Sequence, residues 1–261
     1  MRAELLRLLA EGQLTPEQAI RHLQLIRTHL SGPDGLRLFD RPMTYHGGPQ
    51  RFFQRAESAA FFGREIGLMY MHAHLRYAQA LAHVGEADRF FRALCQANPI
   101  GIRQLVPAAT LRQANCYYSS SDAAFQDRNR ASAEYERVAQ GTVPLDGGWR
   151  VYSSGAGIAL SLIVRRLLGL SVESQALALD PVIPAALSGL RVRLSLFAKP
   201  IELIYEIKGA GCGVTAVSVN GEDVSFSHDA NPYRTGAARI DRAQLLRRLD
   251  QPNNTVVVRV G

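Results

Sequence analysis

Four residues in one stretch carry side chains suited to ligand chemistry: Glu65, His72, Arg76 and Gln79. On a helix turning ~100° per residue they fall within about 40° of Glu65. A carboxylate, an imidazole and a guanidinium on one stripe suit a polyhydroxylated or phosphorylated ligand. The same row also fits an ordinary solvated helix face. A second candidate is the small-residue segment VYSSGAGI, Val151 to Ile158, which opens a helix. The amides of Ser153, Ser154 and Gly155 at that helix start would make an anion site, helped by the serine hydroxyls. Either serine also serves as a plain N-cap. The segment is neither a Walker loop nor a GxSxG elbow.

Metal chemistry finds no support. His74 projects to a different side from His72, so MHAH is not an i,i+4 ligand pair, and no HExxH-like spacing occurs. The three cysteines, Cys95, Cys116 and Cys212, are widely spaced and form no CxxC, which speaks against zinc and against a disulfide framework.

The elements that position these residues change character near Gly169. Before it, apolar residues recur at helical spacing. Thr15, Pro16 and Gln18 match an N-cap, a proline at the first helical position and a capping-box partner. Ile20, Leu23 and Leu30 with their neighbours then form one apolar face, which Gly32-Pro33-Asp34-Gly35 ends. A long aromatic loop spans Leu36 to Arg51, of the kind usually functional or disordered. Helical pattern returns from about Glu57 to His83 and, after Gly85, from Glu86 to Gln96; Leu68, Met71, Leu75, Ala78 and Ala82 form the stripe beside His72. An irregular NCYYSSSD segment, Asn115 to Asp122, leads into a polar helix to about Ala139. A last helix runs from about Gly155 to Leu168.

After Gly169 the pattern is β. Leu190 to Leu196 alternates, Ile201 to Ile207 answers it, and Val214 to Val219, Asn220-Gly221 and Val224 to Ser227 give the strongest hairpin signal. A short helix, Asp241 to Leu249, precedes a final strand, Thr255 to Val260. This predicts a mainly α chain with a C-terminal β domain, the division falling between 1–170 and 171–261.

The chain has 261 residues, 47% hydrophobic and 20% charged, which excludes wholesale disorder. The net charge of +7 comes almost wholly from arginine, since Lys199 and Lys208 are the only lysines. No basic run occurs, so the footprint of a nucleic-acid binder is missing. The longest apolar candidate for a membrane helix, around Ile158 to Leu170, is broken by Arg165 and Arg166. MRAELLRLLAEGQ lacks the apolar stretch and cleavage site of a signal peptide, and a soluble, cytoplasmic protein is expected.

Three segments, FFQRAESAAFFGREIGLMYMHAHLRY, NCYYSSSDAAF and GGWRVYSSGAGIALSLIVRRLLGL followed by LALDPVIP, occur in this order and spacing. They resemble the C-terminal part of the inverting glycoside phosphorylases of the cellobiose phosphorylase family, glycoside hydrolase family 94. The likeness runs from about Leu38 to Ile207 and looks most like the 1,2-β-oligoglucan phosphorylase branch. It implies a partial (α/α)6 barrel followed by a small β-sandwich. It also implies phosphorolysis, in which phosphate attacks the anomeric carbon of a β-glucoside while a carboxylic acid protonates the leaving oxygen. Phosphate then stands where water does in an inverting hydrolase, so a second carboxylate base is dispensable. By this resemblance His72 and the Ser154-Gly155 turn contact phosphate, while Glu57, Glu65 and Asp122 contact sugar. Ser154 stands where the family has threonine, and the hydroxyl is kept.

One departure shapes the expectation for activity. The family's general-acid aspartate lies well upstream of the phosphate histidine. Here only Asp34 and Asp40 precede His72, both in turn or loop sequence. No catalytic residue is therefore assigned, and the chain alone is expected to be inactive. Its expected ligands are a β-glucan oligosaccharide, of the β-1,2-glucooligosaccharide class, and inorganic phosphate as co-substrate, with no cofactor and no metal. The expected partner is a polypeptide supplying the missing N-terminal half, or a second copy. The alternatives are a non-catalytic glycan-binding or partner-binding module and one subunit of a split enzyme.

Overall fold

The structure is a computed structural model that describes residues 11–37, 40, 69–98, 100–109, 121–126, 128–147 and 153–261. The chain divides into two compact units, 1–80 with 92–159 and 81–91 with 160–261.

In the first unit, helix α1 (Pro16–His29) starts as its sequence predicts. Gln18 N–H donates to the Thr15 hydroxyl and the Gln18 side chain accepts from Thr15 N–H, with Pro16 in the first turn. Its buried face is Ala19, Leu23, Ile26 and Leu30, whereas Ile20 is 65% exposed. Leu23 and Leu30 thus lie on the face expected of them, and Ile20 does not. Steps of four, three and four residues align Ala19 through Leu30, and Ile20 sits ~100° from Ala19. A hairpin follows, β1 (Ser31–Gly32) and β2 (Gly35–Leu36), turned by Pro33 and Asp34. Arg37 comes next, almost fully buried, and donates to the carbonyls of Leu30 and His29 and, at 3.0 Å, to the Tyr135 hydroxyl. It thereby satisfies carbonyls that the end of α1 leaves without helical partners.

Helix α2 (Met71–Val84) and helix α3 (Ala87–Ala97) form a helical hairpin through Gly85, whose φ of 88° is the left-handed conformation of a helix stop. Met71, Leu75, Ala78 and Ala82 are buried, as the stripe predicts. His74 is buried with them. Leu36 N–H donates to its Nδ1 at 3.1 Å, and its Nε2 donates to Ala93 O at 2.7 Å. That pairing needs the Nε2–H tautomer. A separate apolar cluster joins Ile102, Val106, Ala109, Tyr135, Val138 and Val143, drawing on helix α4 (Ile102–Leu105) and helix α6 (Glu136–Ala139), which follows α5 (Arg128–Ala133). Strands β3 (Ser121–Ala123) and β4 (Leu145–Gly147) pair antiparallel.

The second unit carries two sheets. One has the order β11-β12-β6-β5, from β5 (Leu170–Val172), β6 (Ala176–Leu179), β11 (Ser227–His228) and β12 (Ala238–Asp241). The other has the order β10-β9-β13-β8-β7, from β7 (Arg191–Leu196), β8 (Lys199–Ile207), β9 (Val214–Val219), β10 (Glu222–Asp223) and β13 (Asn254–Val260). The last strand lies parallel to β8 and antiparallel to β9. It buries Val256, Val258 and Val260 beside Leu203, Tyr205 and Ile207 of β8, the alternation expected of its sequence. The Asn220-Gly221 turn has φ of 51° and 87°, as a tight hairpin requires. Its second strand is shorter than predicted. The ladder covers Glu222–Asp223, Val224 N–H adds one more bond to Val217 O at 2.9 Å, and Ser227 and His228 pair instead with β12 of the other sheet. Helix α8 (Arg242–Arg248) is capped by Asp241, whose Oδ1 accepts from Gln244 N–H at 2.8 Å.

Candidate functional site

Helix α2 presents His72, Arg76 and Gln79 away from its buried stripe. His72 and Gln79 are half-buried and Arg76 is exposed. Arg76 donates to Gln79 Oε1 at 2.8 Å, and the His72 ring meets Tyr70 edge-on with centroids 5.8 Å apart. These side chains therefore share one less-buried face. Glu57 and Glu65 lie outside the described residues.

Helix α7 (Ser153–Leu162) begins at Ser153, two residues earlier than its sequence predicts, and continues as a π-helical turn over Ile163–Leu167. Ser153, Ser154 and Gly155 thus occupy its first turn, where backbone N–H groups have no helical acceptor. Gly155 is buried. The side chain of Ser154 lies outside the described residues. Asp122 sits in β3, its backbone opposite Asp146; its side chain too lies outside the described residues. His72, Asp122, Ser154 and Gly155 all belong to the first unit. Among the described residues, no group of three or more His, Cys, Asp or Glu could hold a metal ion, and no helix is long and apolar enough to cross a membrane.

Sequence reasoning passed over a charged cluster in the second unit. Asp180, of the LDPVIP segment, takes a two-pronged ion pair from Arg234 at 2.6 and 2.9 Å. Arg166 donates to the same carboxylate at 3.3 Å. Around them, His83 stacks edge-on with Tyr233, and neither of its ring nitrogens has a hydrogen-bond partner among the described residues. Burial, then the charges of Arg166 and Arg234, push the His83 pKa down to about 4, against the pull of Asp180. Burial does the same to His74, also to about 4. Burial raises the Cys212 thiol, next to Gly85 and this cluster. The sequence signal was slight: an aspartate closing an apolar strand, and one arginine in the loop NPYRTG.

The LDPVIP segment is tied down residue by residue. Asp180 N–H donates to Gly169 O, Val182 N–H to Arg166 O and Ile183 N–H to Gly211 O, at 2.8–2.9 Å. Val182 and Ile183 are fully buried.

Residues 169–257 match the family model described as the glycoside phosphorylase C-terminal domain. The second unit is thus similar to the C-terminal domain of glycoside phosphorylases, in agreement with the resemblance drawn from the sequence segments. Over 235 residues, 90% of its length, the chain is 44% identical to a protein of Listeria innocua serovar 6a named 1,2-beta-oligoglucan phosphorylase. The match covers 21% of that relative, so the chain spans about a fifth of its length.

Proposed function

We propose that this chain forms the phosphate- and sugar-contacting part of an inverting phosphorylase that acts on β-1,2-glucooligosaccharides. In this reading residues 1–170 are part of an (α/α)6 barrel and 171–261 a small β-sandwich. His72, Ser154 and Gly155 hold inorganic phosphate, with Glu57, Glu65 and Asp122 toward the sugar. A phosphate oxygen forms a bond to the anomeric carbon as the glycosidic bond breaks. A carboxylic acid gives its proton to the leaving oxygen, and α-glucose 1-phosphate and the shortened glucan depart. That acid comes from polypeptide outside these 261 residues. The whole assembly works in the cytoplasm and requires no further cofactor.

The observation that carries this reading is the 44% identity over 90% of the chain. Two features of the first unit support it. His72 stands on the less-buried face of α2, and the first turn of α7 has amides without a helical acceptor, a favourable place for phosphate.

The test is a phosphate titration of the purified chain, followed by the imidazole NMR signals. The His72 signal shifts with phosphate and not with chloride, and the response is lost in Ser154→Ala. An imidazole blind to phosphate overturns the assignment. Specific binding of β-1,2-glucooligosaccharide without any phosphate response would favour a glycan-binding module instead.

A further inference from the structure

The Arg234 side chain is only 6% exposed, and every one of its N–H groups is engaged. Two go to Asp180, as described. Nη1 also donates to Thr235 O at 2.9 Å. Nη2 and Nε donate to Ala82 O at 3.2 and 3.3 Å, and Nε is shared with His83 O at 3.2 Å. Asn231 of the same loop adds Nδ2–H to His83 O at 3.3 Å. Ala82 and His83 lie in the last turn of α2, where Ala82 O accepts from Gly85 N–H at 3.2 Å, short of the oxygen's full capacity, and where the carbonyls carry the negative end of the helix dipole. A guanidinium placed there meets both needs. Asp180 locks its orientation, and is itself fixed through its backbone bond to Gly169.

The geometry admits this approach because residue 85 is glycine. A Cβ there would come within 2.9 Å of both Arg234 Cδ and Cys212 Sγ. Three separated sequence features, Gly85, the LDP aspartate and the NPYRTG arginine, therefore serve one contact.

We infer that Asp180 and Arg234 form a clamp on the C-terminal end of α2 that holds in place the helix bearing His72. Arg234 is a positioning residue for the proposed phosphate site, and that second part rests on the reading of His72 given above. Unclamped, the carbonyls of the last turn fray toward water, and the loss of order propagates toward the start of the helix, because helix formation is cooperative.

The experiment uses the full chain with Arg234→Gln, Asp180→Asn and Arg234→Lys. Ile240→Val, in the buried core of the same unit, serves as a control for general loss of stability. Amide hydrogen exchange along 71–84 and the phosphate-dependent shift of the His72 imidazole are both read. The clamp predicts exchange about tenfold faster through the residues around Leu75, not only in the last turn. It predicts a similar weakening of the phosphate response, with Arg234→Lys intermediate and Ile240→Val unchanged in both. Faster exchange confined to 81–84, or equal effects from Ile240→Val, overturns the clamp. Should Arg234→Gln not fold, Arg234→Lys decides by the same criteria. A wild-type His72 that ignores phosphate removes the positioning role and the phosphate reading together, while the exchange data still decide the clamp.

Discussion

Gly169 and Pro181 pass so close that a Cβ on Gly169 would lie 2.1 Å from the Pro181 nitrogen. Gly169 also has a φ of 68°, a conformation that side chains resist. The LG and LDP pieces of the sequence signature are thus two sides of one contact. Gly169→Ala is expected to destabilise the chain by about 2–4 kcal/mol, since strain and collision add. Urea unfolding measures it; a loss within the noise of the method would mean that the two segments can move apart.

Stability should fall on mild acidification. The folded chain holds His74 neutral, with a pKa of about 4, while an unfolded histidine titrates near 6.5. Below about 6.5 the unfolded state therefore binds protons that the folded state refuses. The stabilisation is complete above that pH and is lost as the pH falls toward 4. His74 alone contributes on the order of 3 kcal/mol to this slope, and His83 acts in the same direction. Urea midpoints between pH 7.5 and 4.5 check it. His74→Asn should be less stable at neutral pH but show a flatter dependence; an unchanged slope would refute the role of His74.

Association is expected through one helix face. Leu160, Ile163 and Val164 are 63%, 40% and 39% exposed, at spacings of three and four residues. Contiguous apolar surface of this kind promotes contact with another chain. Light scattering should show species larger than a monomer, and Leu160→Gln with Val164→Gln should reduce them. A monomeric wild-type chain with a cooperative melt would show that this face needs no partner.

For catalysis, the chain alone should release no glucose 1-phosphate from β-1,2-glucooligosaccharides. Protonation of the leaving group typically contributes about 10²–10⁴-fold, and the proposed site assigns no residue to that role. A coupled phosphoglucomutase assay detects the product, and release above a protein-free control defeats the prediction.

At the proposed phosphate turn, Ser154→Thr should bind phosphate as the native chain does, because the hydroxyl is kept. Ser154→Ala should weaken it about tenfold, the usual worth of a hydrogen bond to a charged group. Isothermal titration with inorganic phosphate separates the two; equal affinities would place the hydroxyl elsewhere.

Much of this molecule is local, and local physics is legible in sequence. The capping box of α1, the left-handed Gly85 stop, the Asn220-Gly221 turn and the alternation of β13 depend on residues a few positions apart. Spacing alone also separated His74 from His72, and the buried stripe of α2 from its polar row. Tertiary structure decided what depends on neighbours distant in the chain. Ile20 is exposed because packing, not hydrophobicity, chose the face of α1. Ser227 left its expected hairpin because a partner strand in the other sheet took its backbone groups. Asp180 and Arg234 were unremarkable as letters, since an ion pair between residues far apart leaves no period in a sequence. Only folding gives that pair its low exposure, its fixed geometry and two carbonyls at the end of a helix to hold.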